Sequence, residues 1–306
     1  KYRALEHHIK MDKFKKLINR IFRIFGLKVS YIKEINDIKN NNKSLNNEKI
    51  RLKNYIKELL NEDIQKGQIH DILSKLSDDE FSTPRYIEAL KELIEYDKKN
   101  TIFDVGAHKG ETLSIFKQYF PNSKVYSFEP FENSYKELRK TSLLLENTEA
   151  FNIGFSNFKG KEKFYSYIDD GDPNLSVINS STKLIDGAME SFGYTTPKKI
   201  QTVECEFDTI DEFVKNHNIK AIDILKIDVQ GSEYKVLEGA DNIISSGKIK
   251  VVYLEILVVN QYDEQKSFNH YLNYFEQKKY DLFGIYNFSY QNNSKILQFD
   301  AIFNKL

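Results

Sequence analysis

The chain has 306 residues, with Lys+Arg and Asp+Glu equal at 45 each, so no global basic charge favours nucleic acid. This length holds one large α/β domain plus an extension, and 13% aromatic residues supply a core although Trp is absent. A single cysteine, Cys205, excludes an intrachain disulfide framework and a cysteine-based zinc site. No secretory leader and no run of about 18 apolar residues is recognised, so a reducing cytoplasm is the expected compartment.

Residues 1–82 read as a helical, oligomerising extension to a domain spanning 83–306. Residues 1–10 read as foreign to the native chain, because Met11 is a plausible start. Over 11–25, Phe14, Leu17, Ile18, Ile21, Phe22 and Phe25 fall on one helical face, and Lys13, Lys15, Lys16, Arg20 and Arg23 on the other. Such a helix packs its stripe on protein, the simpler reading, or lies on an anionic surface such as the inner membrane face. Tyr31, Ile38, Leu45, Leu52 and Leu59 then recur every seven residues, with Ile35, Asn42, Lys49 and Ile56 at companion positions. This heptad, with Glu34–Lys39 and Glu48–Lys53 at pairing distance, predicts a homo-oligomer, against the alternative of a helix folding back on its own domain. Gly67 and the polar run Ser77–Glu80 break the pattern. Thr83-Pro84 opens a further helix to about Tyr96.

From Asn100 onward strands and helices alternate. Strands are predicted at 101–106, 124–129, 149–155, 223–229 and 251–257, and helices at about 110–119, 133–146, 232–245 and 266–279. A hairpin arm, Lys161–Ile168, follows the third strand. Strands at 281–287 and 296–304, joined by the polar turn Gln291–Lys295, close the chain as an antiparallel hairpin. The alternation predicts a parallel, doubly wound sheet.

The stretch TIFDVGAHKGETLSIFKQYFPNSKVYSFEPF, residues 101–131, carries the clearest chemical signal. A buried strand ends in Asp104-x-Gly106, the turn closes at Gly110, and the next strand ends in Glu129. Glu129 follows at about the 20-residue spacing at which a carboxylate takes a ribose diol. The turn lacks G-x-G-x-x-G and G-K-[ST], so it suits neither a dinucleotide pyrophosphate nor a gripped phosphate. An acidic residue before the first glycine suits a cationic ligand, and S-adenosylmethionine has both an ammonium and a sulfonium. At the carboxyl ends of the other strands stand Asn152-Ile153-Gly154, Asp228, Gln230, Gly231, Glu233 and Glu255. In an open parallel sheet these converge on one crevice.

The segments FDVGAHKGET, VYSFEP, NIGFSNFKGK, LKIDVQGSEYKVLEGA and VVYLEI resemble the FkbM family of S-adenosylmethionine-dependent methyltransferases, over about residues 97–305. The resemblance implies a class I methyltransferase Rossmann-like sheet with a terminal antiparallel hairpin, and O-methylation of a hydroxyl, often on a sugar of a glycan or glycoconjugate. It places Asp104, Gly106, Ala107, Gly110 and Thr112 at the methionine part of the cofactor. Glu129 and Pro130 fall at the ribose, Asn152, Ile153 and Gly154 at the adenine, and Asp228 and Gln230 at the methyl group. Gln230 departs from the Glu usual there, which puts an acidic role at that position in doubt.

A sugar hydroxyl is a poor nucleophile, so a base is expected: Asp228 first, Glu255 second, His108 third. Asp228, flanked by apolar Leu225 and Ile227, is expected to be desolvated and to have a raised pKa. Asp228 with Glu255 has the chemistry for a divalent ion, but nothing in the spacing requires a metal. Residues 169–200 are long for a connection and read as a lid or as a solvated loop with a short helix at 182–191. In it Asn174, Ser176, Asn179 and Ser180 suit sugar hydroxyls, and Tyr194 suits a sugar ring. The competing functions are a nicotinamide-dependent oxidoreductase, disfavoured by the missing glycine motif, and a non-catalytic binding protein. The expected partners are a small-molecule or glycan substrate and a second copy of the chain, with no nucleic acid.

Overall fold

The structure, a computed structural model, describes residues 83–168, 178–185, 199–291 and 294–306, which fall in the compact unit Arg85–Leu306 apart from Thr83 and Pro84. The helix at 11–25, the heptad at 31–60 and the loop residues Asn174, Ser176 and Tyr194 lie outside the described residues.

Helix α1, Arg85–Leu93, leads into strand β1, Thr101–Val105. There follow α2 (Glu111–Tyr119), β2 (Lys124–Phe128), α3 (Glu132–Leu143), β3 (Thr148–Phe151) and β4 (Gly154–Phe155). Next come β5 (Gly160–Ile168), β6 (Lys199–Asp208), α4 (Ile210–Asn216), β7 (Ile222–Ile227), α5 (Glu233–Glu238) and α6 (Asp241–Ser245). The chain ends with β8 (Ile249–Leu257), α7 (Phe268–Gln277), β9 (Tyr280–Gln291) and β10 (Lys295–Lys305).

The main sheet has seven strands in the order β3-β2-β1-β7-β8-β10-β9. The five strands from β3 to β8 run parallel, and β10 pairs antiparallel to both β8 and β9. The order reverses between β1 and β7, which makes their carboxyl ends the switch point. Central strands are buried on both faces, as parallel strands under helices must be. On one face Phe103, Leu225, Val252 and Leu254 pack with α4–α7; on the other Ile102, Ile224 and Val251 pack with Leu90 of α1, Phe116 of α2 and Leu138 of α3. Both faces are therefore wound by helices, as the alternation predicts.

Three departures from the sequence reading matter. First, the strand expected over 149–155 is two strands, because Asn152 turns its amide back onto the carbonyls of Glu129 (2.9 Å) and Pro130 (3.1 Å). Second, the helix expected over 232–245 breaks after Glu238. The Asp211 carboxylate accepts from the amides of Asn242 (3.0 Å) and Ile243 (2.9 Å), which starts α6 afresh. Third, Lys161–Ile168 pairs with β6, whose polar alternation hid it: Gln201, Glu204 and Glu206 are exposed while Cys205 and Phe207 are buried. With β4 these strands form a second sheet, β4-β6-β5, beside the switch point. Among the described residues no helix is long and apolar enough to cross a membrane.

Candidate active site

The period of two in a strand puts alternate residues of adjacent strands on one face. Register sets Asp104 opposite Lys226, Lys226 opposite Tyr253, and Glu255 opposite Asp300. A row of polar side chains thus crosses four neighbouring strands on the face that also carries Tyr253. Lys226, 5% exposed, is its cation. Its Nζ lies 3.3 Å from Asp104 Oδ1 and 3.3 Å from Asp228 Oδ2, and donates to the carbonyl of Gly106 at 3.2 Å. Burial alone would push this ammonium down, but the two carboxylates outweigh it and hold its pKa up. Asp104 is fully buried, and its contact with Lys226 has ion-pair distance without hydrogen-bond geometry. Burial pushes its carboxyl up, against the pull of Lys226. Asp104 does not line the cavity described below. Its carboxylate faces Lys226 and not the cavity to which the resemblance assigned it.

Asp228 stands just past β7, with its carboxylate between two donors. Oδ2 faces Lys226, and Oδ1 accepts from Gln230 Nε2 at 2.9 Å. Burial pushes its pKa up as expected from Leu225 and Ile227, yet Lys226 and Gln230 overcome that, and the carboxyl ends below its usual value. The expectation of a raised Asp228 is therefore corrected: a buried lysine two residues upstream decides the sign. Glu255 has the opposite fate. Burial first, then the nearby Asp228 and Asp300 charges, raise it well above the usual range. Its Oε2 accepts from Gln230 Nε2 at 2.6 Å and its Oε1 from Gln298 Nε2 at 2.9 Å. The two neighbouring carboxyl groups are thus pushed in opposite directions, Asp228 down by Lys226 and Glu255 up by burial.

The β1 turn is held by Glu129. Its Oε2 accepts from the His108 amide at 3.0 Å and its Oε1 from the Phe131 amide at 2.9 Å, and burial lifts it to about 7. Gly106, at φ +76°, is required by the fold itself, since a Cβ there would lie 1.7 Å from the Asp228 carbonyl oxygen. Gly110 caps α2 and faces α3: a Cβ would stand 3.1 Å from Thr141, and the residue does not line the cavity. The ring of His108 meets the Glu111 carboxylate at 3.2 Å through Nδ1. Asn152 and Ile153 also stay outside the cavity, one tying the backbone and the other packed in the core.

Gly106, Ala107, His108, Thr112, Glu129, Pro130, Gly154, Asp228, Gln230 and Glu255 do line one cavity of about 370 Å³. Phe155, Phe164 and Phe207 give it an apolar wall, and Asp228, Gln230, Glu255 and Gln298 give it a polar end. A strap, Ile178–Ile185, crosses it. Ser180 Oγ donates to the Gln230 carbonyl (2.6 Å), and the Ser180 backbone pairs with Tyr165. The described part of the 169–200 connection is thus neither a solvated loop nor a helix over 182–185. Asn179 accepts from the Tyr167 amide at 3.0 Å, while its buried Nδ2 has no hydrogen-bond partner.

Lys226, Gln298, Phe164 and Phe207 were missed in the sequence. A lysine between Leu225 and Ile227 in a buried strand is itself the signal for Lys226, since such a charge must be paired. The other three depend on β5, β6 and β10 being brought to the switch point. Among the described residues no group of three His, Cys, Asp or Glu side chains is placed to hold a metal ion.

The strand order with an antiparallel β9–β10 hairpin, and a carboxylate-lined cavity at the switch point, define a class I methyltransferase Rossmann-like fold. The profile of the Methyltransferase FkbM domain matches residues 104–282, more than half of the chain, and the chain belongs to this family. It is 22% identical over 164 residues to the 2-O-methyltransferase NoeI of Sinorhizobium fredii (strain NBRC 101917 / NGR234), covering 54% of this chain and 66% of that protein. It is 25% identical over 155 residues to the methyltransferase sdnD of Sordaria araneosa, covering 46% of this chain and 60% of that one. The matches therefore span less than two thirds of either relative. An rRNA methylase from Streptococcus thermophilus superposes with a TM-score of 0.41 at 16% identity, covering 74% of this chain and 98% of that chain. The fold assignment rests on the strand order and not on that superposition.

Proposed function

We propose that the cavity binds S-adenosylmethionine and that the protein transfers its methyl group to a hydroxyl, on a sugar of a glycan or glycoconjugate. The observation that carries this reading is the pair of neighbouring carboxyl groups, Asp228 and Glu255, bridged by the Gln230 amide and pushed in opposite directions by Lys226 and by burial, at the polar end of a nucleoside-sized cavity. The residues fit the cofactor. Glu129 faces the cavity where a ribose diol needs an acceptor, and the Pro130, Phe155, Phe164 and Phe207 wall suits a flat apolar ring. The orphaned Asn179 Nδ2 offers a donor to a ligand. Glu111, Glu129 and Asp228 suit a cationic ligand, because the Lys226 charge is spent on two aspartates.

When bound, the cofactor supplies an electrophilic methyl on a sulfonium. With cofactor and acceptor bound, Asp228 would accept a hydrogen bond from the acceptor hydroxyl and would take its proton as that oxygen receives the methyl group, leaving S-adenosylhomocysteine. Glu255 and Gln298, joined at 2.9 Å, hold the polar end. His108, tied to Glu111, is a wall residue in this reading, not the base. A low Asp228 pKa makes it a modest base, so most of the rate comes from holding the oxygen in line. NoeI, by its name a 2-O-methyltransferase, supports an oxygen acceptor. The test is incubation with methyl-labelled cofactor and a fractionated glycan and nucleotide-sugar pool, read by mass. A gain of about 14 Da, one CH₂, on a glycan fraction supports the proposal. Label transfer only to protein or RNA contradicts it.

We also propose that residues 1–82 form a separate oligomerising extension through the 31–60 heptad, with 11–25 packed on protein or on the inner membrane face. Light scattering on the full chain and on a chain starting near Ser77 checks it: equal monomeric masses contradict the oligomer.

A further inference from the structure

Gln230 is held from every side. Its backbone is in the left-handed region at φ +57°, where a non-glycine residue is strained, and its carbonyl accepts from Ser180 Oγ at 2.6 Å. Its Nε2 gives one proton to Asp228 Oδ1 (2.9 Å) and the other to Glu255 Oε2 (2.6 Å). That exhausts the two donors of an amide nitrogen. Its Oε1 lies 3.3 Å from the hydroxyl of Tyr262, which donates to the Ile178 carbonyl at 2.9 Å. A glutamate in this place would bring oxygens to two carboxyl groups and have no N–H to offer either.

We propose that Gln230 is the positioning residue of this centre: its single amide ties Asp228 and Glu255 together, fixes the Asp228 carboxylate between Gln230 and Lys226, and links both to the strap through Ser180 and Tyr262. The inference deepens the methyl-transfer reading, because it rests on Asp228 as the proton acceptor. The groups facing the pair come from every element around it. They are Lys226 on β7, Asp104 on β1, Tyr253 on β8, Asp300 on β10, Glu233 on α5, and Tyr262 after β8. Lys226 and Asp300 remain when Gln230 is changed, so a change in titration reports on the amide itself. A donor to a carboxylate favours its ionised form, so removing the donor moves both titrations to higher pH.

The test has two arms on the full chain. In the first, carbon-13 carboxyl NMR without ligand follows Asp228 and Glu255, assigned by signals lost in D228N and E255Q. Gln230→Met, which keeps length and loses the donor, is expected to raise the Asp228 midpoint by about one pH unit. Should Q230M not fold, Q230L, which also lacks an N–H there and adds no charge, serves instead and shifts the same way. An unmoved Asp228 midpoint overturns the proposal. In the second arm, methyl transfer by Q230M is expected to lose about tenfold or more in kcat, with cofactor KM within about threefold and the acidic limb of the kcat profile moved up. Wild-type kcat with an unmoved profile overturns it. If the wild type methylates no acceptor offered, the methyl-transfer reading fails alone, and the NMR arm still decides whether Gln230 governs the pair.

Discussion

The two faces of the central sheet are built from the same strands and obey opposite rules. On one face Phe103, Phe128, Phe151 and Phe155 surround Phe213, with ring centroids 4.9–5.8 Å from it. The strand residues on that face are apolar or aromatic, and the face is stabilised by area and ring geometry. The other face spends Asp104, Lys226, Glu255 and Asp300 in one buried row. Asp300 accepts from Tyr253 (2.5 Å) and Asn287 (2.7 Å), and burial lifts it to about 6. Tyr253 is in turn stacked on Tyr86 of α1, with ring centroids 5.5 Å apart. A single-residue shift in strand phase would exchange the two faces. The dry face carries the fold, and the charged face sets the protonation of the groups at the cavity's polar end.

The comparison breaks most severely at Lys226. Lys226→Met leaves Asp104 and Asp228 facing each other unpaired, and is expected to cost about 3–5 kcal/mol of stability, read from denaturant midpoints. Restored stability in the double variant K226M/D104N would confirm that unpaired charge is the cause. On the dry face, Phe213→Ala removes a ring from five aromatic contacts, including His217 stacked at 3.9 Å, and should cost about 3 kcal/mol. It should leave cofactor affinity within about threefold, measured by calorimetry; a larger loss would mean that the two faces are not separable.

Asp228→Asn keeps shape and loses basicity. Turnover should fall by about 10²-fold, with cofactor affinity within a few-fold. Near-normal turnover would move the proton to another acceptor. The smallest effect belongs to Glu129. Ribose hydroxyls donate to its ionised form, and its carboxyl sits at about 7, so binding removes a proton. Affinity for S-adenosylhomocysteine should rise about tenfold between about pH 6 and pH 8, and E129Q should flatten that dependence. A flat wild-type profile would sink the ribose assignment.

The parallel sheet, its terminal hairpin and the crevice were legible because they follow from local patterns: apolar runs, turn glycines and polar residues at strand ends. Glu129 was placed by its spacing from the turn and Asp228 by its position at a strand end, and both line the cavity. What sequence reasoning missed required register. Nothing local says that Lys226 lies between Asp104 and Asp228, and that contact reverses the expected Asp228 shift. Gly110 and Asn152 sit in motif positions yet serve packing and backbone hydrogen bonds, because a motif marks where the chain turns and not which way each side chain faces. Strand β6 was hidden by its polar alternation, and with it the Phe207 wall.

The central claim is that this cavity takes a sulfonium nucleoside and not a dinucleotide, and calorimetry with S-adenosylhomocysteine and with NAD on the same protein tests it most directly. The account predicts saturable binding of S-adenosylhomocysteine that weakens about tenfold or more in E129A, and no measurable heat with NAD. Tight NAD binding, with no response to S-adenosylhomocysteine, would contradict it.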